Sequence, residues 1–202
     1  MDESVLKIYL IRHGDTAWSE THRHTGLTDL PLARHGEHQA RLLGKRLEGL
    51  NFIRIFTSPL QRARATSELA GFAEAVESDP DLVEWNYGDY EGLTTVEIHQ
   101  RRPGWDLFRD GVPNGESPRD VAARADRFIA KTMSLQGDVA VFSSAHIMRM
   151  IAARWLALPP DAARLFLSST ASVSILGYEH SRDEAVIRLW NDVGEIHSLN
   201  SY

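Results

Sequence analysis

The chain has 202 residues, 43% of them hydrophobic and 25% charged, with a formal net charge of -6. No linker, repeat or low-complexity stretch divides it, so we expect a single domain over residues 1–202. Zero cysteines exclude a disulfide framework and thiolate metal ligands. The acidic balance argues against a general nucleic-acid surface. The first residues lack a basic start and a long apolar run, which predicts a cytoplasmic protein without a membrane span.

Strands and helices alternate in the first half of the chain. An apolar run predicts a strand over residues 7–12, and leucines at helical spacing predict a helix over residues 36–50. Residues 52–57 form a short second predicted strand. Pro59 lies near the first turn of the next predicted helix, and Gly71 ends that helix. A mostly polar insertion follows.

The second half of the chain continues this alternation. Ser117-Pro118 begins a predicted helix, and residues 138–143 form a buried strand that leads into a helix over residues 147–158. A proline pair stops that helix. Two strands, over residues 172–178 and 185–190, complete the chain. This mixed order predicts an α/β fold: a three-layer α/β/α sandwich with a central, mostly parallel mixed sheet.

Arg12-His13-Gly14 directly follows the first predicted strand. A buried strand that ends this way brings a cation, a potential nucleophile and a flexible backbone to one point. The planar guanidinium of Arg12 suits bidentate phosphate binding, with a surface ion pair as the plainer alternative. A histidine after a strand is more often structural than catalytic, so the tripeptide alone is a weak indication of a phosphate site.

Helical geometry separates two nearby arginines. Residues two apart point to different sides of a helix. Arg62 shares its side with Thr66 and Leu69, whereas Arg64 lines up with Glu68. We therefore predict that Arg62 faces inward and that Arg64 is a solvated partner of Glu68.

Four further segments extend the pattern. They are Asp15-Thr16-Ala17-Trp18, His24-Thr25-Gly26-Leu27-Thr28-Asp29-Leu30-Pro31-Leu32, Ser58-Pro59-Leu60-Gln61-Arg62-Ala63 and Glu84-Trp85-Asn86-Tyr87-Gly88-Asp89-Tyr90-Glu91-Gly92. Together with the tripeptide they resemble the histidine phosphatase superfamily, also called phosphoglycerate mutase-like, in order over nearly the whole chain. The resemblance implies the same α/β/α fold.

The resemblance also implies roles for individual residues. His13 would be the nucleophile and form a phosphohistidine that water later cleaves. A neutral imidazole can attack phosphorus if a backbone carbonyl holds its far nitrogen. Arg12 and Arg62 would clamp the phosphate, and Thr25 and Gly26 would meet it with hydroxyl and backbone groups.

Glu84 and Ser19 complete this set. Glu84 has apolar and aromatic neighbours that are expected to raise its pKa and keep it protonated, as a general acid requires. Local sequence alone favours a surface-loop acid, but the family's proton donor falls on Glu84. Ser19 occupies a place where many members carry asparagine and is a further expected phosphate contact.

One segment departs from the family pattern. Members usually carry a second catalytic histidine in His-Gly-x-x-x-Arg, whereas this chain has Ser144-Ala145-His146-Ile147-Met148-Arg149. His146 could enter the pocket in its place, or Ser144 could donate its hydroxyl from a helix N-terminus. Activity could also be lost. In the plainest alternative, Ser144 is a helix N-cap and His146 a first-turn residue.

Within the superfamily the chain looks most like a branch that contains sedoheptulose-bisphosphatase-like and broad acid phosphatases. This resemblance implies a phosphatase of small phosphate monoesters, with sugar phosphates as expected substrates. Phosphoglycerate mutase activity and a phospholigand-binding pseudoenzyme are the alternatives. The chemistry requires no cofactor, and the histidines form no known metal-binding pattern. The expected partner is a small phosphorylated metabolite, not a nucleic acid or membrane; no motif decides whether the chain forms a homodimer. His24, Arg109 and Glu116 are candidate recognition residues outside the phosphate site.

Overall fold

The computed structural model describes residues 6–74 and 76–194, and its centre is a six-stranded sheet. The strands are β1 (Lys7–Arg12), β2 (Arg54–Thr57), β3 (Val76–Ser78), β4 (Asp138–Ser143), β5 (Val173–Tyr178) and β6 (Ala185–Asp192). The α-helices are α1 (Ala17–Glu20), α2 (Arg34–Arg46), α3 (Gln61–Leu69), α4 (Thr95–Arg101), α5 (Leu107–Asp110), α6 (Pro118–Thr132) and α7 (Ala145–Trp155). Short 3-10 turns lie at Pro80–Leu82, Gly88–Tyr90 and Pro160–Leu165.

The sheet has the strand order β3-β2-β4-β1-β5-β6. β1, β2, β3 and β4 run parallel, whereas β5 pairs antiparallel with β1 and β6 antiparallel with β5. The predicted mixed, mostly parallel sheet of an α/β fold is therefore confirmed. Arg12 pairs with Ser143 at the last register position of β1 and β4. Residues that follow these two strands consequently meet at one edge of the sheet.

Successive residues of β1 bury opposite faces of the sheet, as the two-residue period of a strand requires. Ile8 and Leu10 belong to one core cluster, which includes Phe128 of α6. Tyr9 and Ile11 belong to a second cluster. This second cluster includes Leu43 and Leu47 from the region of α2, so helices cover both faces of β1.

Local sequence signals set several boundaries. Ser117 caps α6 in a capping box with Asp120, and Pro118 is the first helical residue. Gly71, with φ of +93°, lies just after the end of α3, as predicted. Other boundaries differ. α2 covers Arg34–Arg46 and not residues 36–50, and α7 covers Ala145–Trp155 and not residues 147–158.

β3 was not predicted. It has only three residues and its side chains are exposed or half-buried, so no alternating apolar pattern marks it. Among the helices in the described part of the chain, none has the length and apolarity needed to cross a membrane.

Candidate active site

A cavity of about 200 Å³ opens at the carboxyl ends of β1 and β4. Predicted site residues that line it are Arg12, His13, Ser19, Thr25, Glu84 and His146. The structure adds His22, Arg23, Tyr87 and Ala145 to its lining, together with the recognition candidate His24. Open parallel sheets place ligands at this edge because the loops that follow neighbouring strands converge there.

His13 is buried and its ring has a fixed orientation. Its Nδ1–H donates to the Gly14 carbonyl over 2.7 Å, since a carbonyl can only accept, and this leaves the Nε2 lone pair available. Burial lowers the pKa of His13 well below its usual value, and the cations Arg62 and Arg12 lower it further. The imidazole is therefore neutral and has the protonation state of a nucleophile.

Arg62 is fully buried beside this ring. Its terminal nitrogens donate to the carbonyls of Thr25, Gly26 and Thr28 over 2.9 to 3.2 Å. Arg12 donates in the same way to the Ser168 carbonyl. These carbonyls hold both guanidinium groups in place.

The buried Nε atoms of Arg12 and Arg62 have no hydrogen-bond partner among the residues that the structure describes. Buried polar groups without partners are uncommon, and an anion is the kind of group that offers acceptors to such donors. Arg12 lines the cavity, whereas the fully buried Arg62 is not among its lining residues. We refer to Arg12, His13 and Arg62 as the phosphate clamp.

Arg62 points inward and Arg64 is exposed, in agreement with helical spacing. The predicted ion pair between Arg64 and Glu68 is wrong, since no such contact occurs in the described structure. The difference has little energetic meaning, because exposed pairs contribute at most about 1 kcal/mol.

Glu84 is buried at the N-terminus of α7. Its carboxylate accepts hydrogen bonds from the backbone N–H groups of Trp85, His146 and Ile147 over 2.8 to 2.9 Å. Burial alone raises the pKa of Glu84, but the adjacent His146 ring and the backbone donors outweigh it, so the pKa lies below its usual range. The predicted raised pKa is therefore wrong: apolar sequence neighbours do not show the helix terminus that stabilises the carboxylate.

His146 lies in the first turn of α7 and lines the cavity. The Tyr87 hydroxyl is 2.5 Å from its Nδ1, and Glu84 Oε2 is 3.6 Å from the same atom. Burial lowers the pKa of His146 and outweighs the opposing effect of the neighbouring Glu84 carboxylate. The sequence left open whether His146 is a first-turn helix residue or a pocket residue. In the structure it is both.

Ser144 occupies the N-cap position of α7, but its side chain makes no capping hydrogen bond. Its hydroxyl is buried without a partner among the described residues and is not part of the cavity lining. The alternative in which Ser144 is the N-cap therefore describes its position, but Glu84 and not the Ser144 hydroxyl accepts from the N–H groups of His146 and Ile147.

Three other predicted contacts are less direct than expected. The N–H of Gly26 donates to Glu91 and its carbonyl accepts from Arg62, and Gly26 is not among the cavity-lining residues, so its backbone contact with a phosphate stays a prediction. Thr25 lines the cavity while its hydroxyl donates to the Arg23 carbonyl. Ser19 also lines it, but its hydroxyl donates to Asp15.

The recognition candidates separate in space. His24 lines the cavity, with its ring 4.8 Å from that of Tyr87, and burial together with His146 lowers the pKa of His24 to about 4. Arg109 pairs with Asp110, and Glu116 pairs with Arg124, both away from the cavity lining. Of the three candidates, His24 alone is a cavity-lining residue.

Tyr87 lies three residues after Glu84 and is buried. Its position in the quoted motif is the one signal that could have indicated it. His22 and Arg23 carry no comparable signal.

One possible metal-binding cluster occurs in the described residues, formed by the exposed Glu179, His180 and Glu184. It lies at the β5–β6 turn and shares no residue with the cavity lining.

The model of the histidine phosphatase superfamily (branch 1) matches residues 8–193. The chain belongs to this superfamily, as its motifs predict, and is an enzyme of its phosphatase and mutase class. It is 39% identical over 188 residues to an acid phosphatase of Mycobacterium tuberculosis, covering 91% of this chain and 92% of that one.

Two other similarities agree with this assignment. Identity to a sedoheptulose 1,7-bisphosphatase of Saccharomyces cerevisiae is 37% over 181 residues, covering 74% of this chain and 67% of that one. The solved structure of an open-reading-frame product of Mycobacterium tuberculosis superposes with a TM-score of 0.86 at 37% identity, covering 92% of this chain and 96% of that one.

Proposed function

We propose that the enzyme hydrolyses phosphate monoesters of small metabolites through a phosphohistidine on His13, and that sugar phosphates are its substrate class. The observation that carries this proposal is the phosphate clamp: a neutral imidazole with an available Nε2 beside two guanidinium groups whose Nε–H donors lack partners. The relatives named acid phosphatase and sedoheptulose 1,7-bisphosphatase support it. The chemistry uses no cofactor.

In the first step, His13 Nε2 attacks the phosphorus atom and the bond to the ester oxygen breaks. Arg12 and Arg62 stabilise the charge on the transferred phosphoryl group. The leaving oxygen requires a proton, and the unliganded Glu84 is ionised. A phosphate dianion raises the pKa of a nearby carboxylate by like-charge repulsion, so Glu84 takes up a proton from solvent as the substrate binds. Glu84 then protonates the leaving alcohol.

In the second step, water attacks the phosphohistidine on phosphorus. Glu84, now a carboxylate, accepts the proton of that water, and the bond between phosphorus and His13 Nε2 breaks. Inorganic phosphate leaves and the neutral imidazole is restored. His146, which lines the cavity, is the proposed replacement for the family's second histidine, with the Ser144 hydroxyl as the alternative phosphate ligand.

The test combines turnover with detection of the intermediate. We expect the purified enzyme to hydrolyse p-nitrophenyl phosphate and a subset of a sugar phosphate and phosphoglycerate panel, and His13→Ala to lose at least about 10⁴-fold in kcat. Quenching without acid, followed by mass spectrometry, should locate phosphate on His13. Phosphate on Ser144 would contradict the mechanism. His180→Ala, which changes an exposed histidine at the β5–β6 turn, is the control.

A phospholigand-binding module is the second candidate. It is favoured by Ser144, which replaces the family's second histidine, and by Glu84, whose carboxylate is already bound to α7. Binding of a sugar phosphate without turnover, in wild type and His13→Ala alike, would identify this function. Turnover that disappears in His13→Ala identifies the enzyme.

A further inference from the structure

Glu84 and Tyr87 reach the cavity from one short segment, residues 83–87, which is neither helix nor strand. The regular hydrogen bonds of a helix or a sheet therefore do not fix the backbone of this segment. Both side chains nevertheless have to keep their place relative to the phosphate clamp. The groups that hold the segment consequently belong to other parts of the fold.

Arg124 of α6 holds the residue before Glu84. Its Nη1 donates to the carbonyl of Asp81 over 2.9 Å and to that of Val83 over 2.7 Å. Its Nε and Nη2 bind the two carboxylate oxygens of Glu116 over 2.8 and 2.7 Å. Because Val83 directly precedes Glu84, Arg124 connects α6 to the backbone next to the proposed acid.

Glu116 holds the residues after Glu84. Its carboxylate accepts from the N–H of Asn86 over 2.9 Å, and its own N–H donates to the Asn86 carbonyl over 3.0 Å. Its carbonyl accepts from the indole N–H of the buried Trp85 over 2.9 Å. One ion pair thus fixes the chain on both sides of Glu84.

The ion pair lies outside the substrate cavity. The side chains of Arg124 and Glu116 are 13% and 21% exposed, and neither is among the described residues that line that cavity. Both line a neighbouring cavity of about 250 Å³, which Glu84 also lines. A planar guanidinium that binds a carboxylate through two nitrogens, and two carbonyls through the third, keeps little freedom of movement.

The supports of Glu84 respond differently when it takes up a proton. Its carboxylate accepts three backbone hydrogen bonds, two of them from α7. Bonds to an ionised acceptor are stronger than bonds to a neutral one, so these bonds weaken in the protonated form. The contacts of Arg124 and Glu116 with the neighbouring backbone do not involve the Glu84 side chain. They therefore persist when Glu84 is the acid.

We propose that Arg124 and Glu116 are positioning residues for proton transfer: they keep the protonated carboxyl group of Glu84 within reach of the leaving oxygen. The proposal rests on the proposed function. In the described part of the chain neither residue forms a hydrogen bond or ion pair with the phosphate clamp, so phosphate binding should not depend on the pair.

Two substitutions loosen the pair in different ways. Glu116→Gln keeps the shape of the side chain but loses one bond to Arg124. Arg124→Lys keeps the charge but cannot span the carboxylate and both carbonyls. The matched control is Arg127→Ala. The exposed Arg127 lies one turn further along α6 and pairs with the Asp81 side chain, so its loss removes a link to the same region but none to the neighbours of Glu84.

Single-turnover kinetics compare p-nitrophenyl phosphate with the sugar phosphate that the wild type hydrolyses fastest. In Glu116→Gln and Arg124→Lys we expect the first step to slow about ten- to a hundredfold for the sugar phosphate, the scale for a misplaced catalytic group. For p-nitrophenyl phosphate, whose leaving group needs no proton, the loss should be less than about threefold. Arg127→Ala should keep the wild-type rates.

A general loss of folded protein would slow both esters alike, so the difference between the esters separates positioning from stability. An equal loss on the two esters, or wild-type rates in both variants, overturns the proposal. The same result would leave the phosphohistidine on His13 untouched.

Binding of inorganic phosphate tests the pair without turnover. Calorimetric titration in two buffers of different ionisation enthalpy counts the protons taken up, and Glu84→Gln gives the uptake that does not involve Glu84. We expect Arg124→Lys and Glu116→Gln to lose at least roughly half of the uptake that depends on Glu84, with Kd nearly unchanged.

This measurement also separates the two proposals. If the wild type hydrolyses neither ester, the proposed phosphatase function fails, and proton uptake alone decides whether the pair positions Glu84 toward a bound phosphate. Uptake that is unchanged in both variants, the absence of uptake that depends on Glu84, or no binding of phosphate refutes the positioning role.

Discussion

The two halves of the active site differ in how their polar groups are satisfied. In the phosphate clamp, two arginine Nε–H groups lack partners among the described residues and the imidazole of His13 keeps an available nitrogen. In the proton-transfer half, Glu84 already accepts three backbone hydrogen bonds, and His146 contacts Tyr87. In the proposed mechanism the clamp therefore needs no rearrangement to meet an anion, whereas the other half is held by its own contacts and has to change protonation when substrate binds.

The largest effect after loss of the nucleophile should come from Arg62→Ala. We expect kcat/KM for p-nitrophenyl phosphate to fall at least about a thousandfold, because the variant loses a charge donor at the transferred phosphoryl group. The variant also removes the hydrogen-bond donor of the carbonyls that now accept from Arg62. Arg64→Ala, two residues away on the exposed side of α3, should stay within about twofold of wild type. Similar losses in both variants would contradict the assignment of Arg62 to the clamp.

Glu84→Gln tests the proton-transfer half. For a sugar phosphate we expect kcat to fall by about 10²- to 10³-fold, the range for losing a general acid. The loss should be much smaller in the first step with p-nitrophenyl phosphate, since p-nitrophenolate leaves without protonation. Single-turnover kinetics on both esters would measure this difference. An equal loss for the two esters would show that Glu84 acts by holding α7 in place and not by donating a proton.

The pair Ser144 and His146 tests where this chain departs from its family. We expect His146→Ala to lower turnover about a hundredfold and Ser144→Ala to cost much less, because His146 lines the cavity. The reverse order would make Ser144 the ligand. Ser144→His combined with Ala145→Gly should raise turnover if the site is an impaired form of the family's arrangement. Unchanged activity in all of these variants would exclude both residues from the chemistry.

The smallest expected effect concerns stability and not turnover. It is the change in the free energy of unfolding with pH that the protonation of His24 causes. Unfolded histidine takes up its proton near pH 6.5, and folded His24 does so only near pH 4. Between these values the unfolded state binds more protons, so stability falls as pH drops from 6.5 to 4, by up to roughly 3 kcal/mol from this residue.

The variant His24→Phe keeps a ring beside Tyr87 but cannot titrate. Urea unfolding at pH 6.5, 5.5 and 4.5 should therefore show a shallower loss of stability than in wild type. A slope that is unchanged would mean that His24 is not buried as a neutral ring. His180→Ala, at an exposed turn, should keep the wild-type slope.

Local and periodic signals in the sequence were sufficient for much of the fold and for the placement of Arg12, His13 and Arg62; their roles toward phosphate came from the family resemblance and stay predictions. β1 extends over the predicted residues and delivers Arg12-His13-Gly14 to the sheet edge. α6 begins at Pro118 after its Ser117 cap. Arg62 faces inward as its helical spacing requires. Each of these features depends on residues close in sequence, whose geometry is set by the strand or helix that contains them.

Only the tertiary structure decided the hydrogen bonds and the protonation of Glu84 and His146 in the proton-transfer half of the site. Glu84 and His146 are 62 residues apart in sequence, so nothing local shows that the N-terminus of α7 binds the carboxylate and lowers its pKa. The same holds for Gly26, whose N–H is taken by Glu91. Hydrogen bonds between distant segments determine which polar groups remain available to a ligand, and a sequence read by local period and spacing does not contain that information.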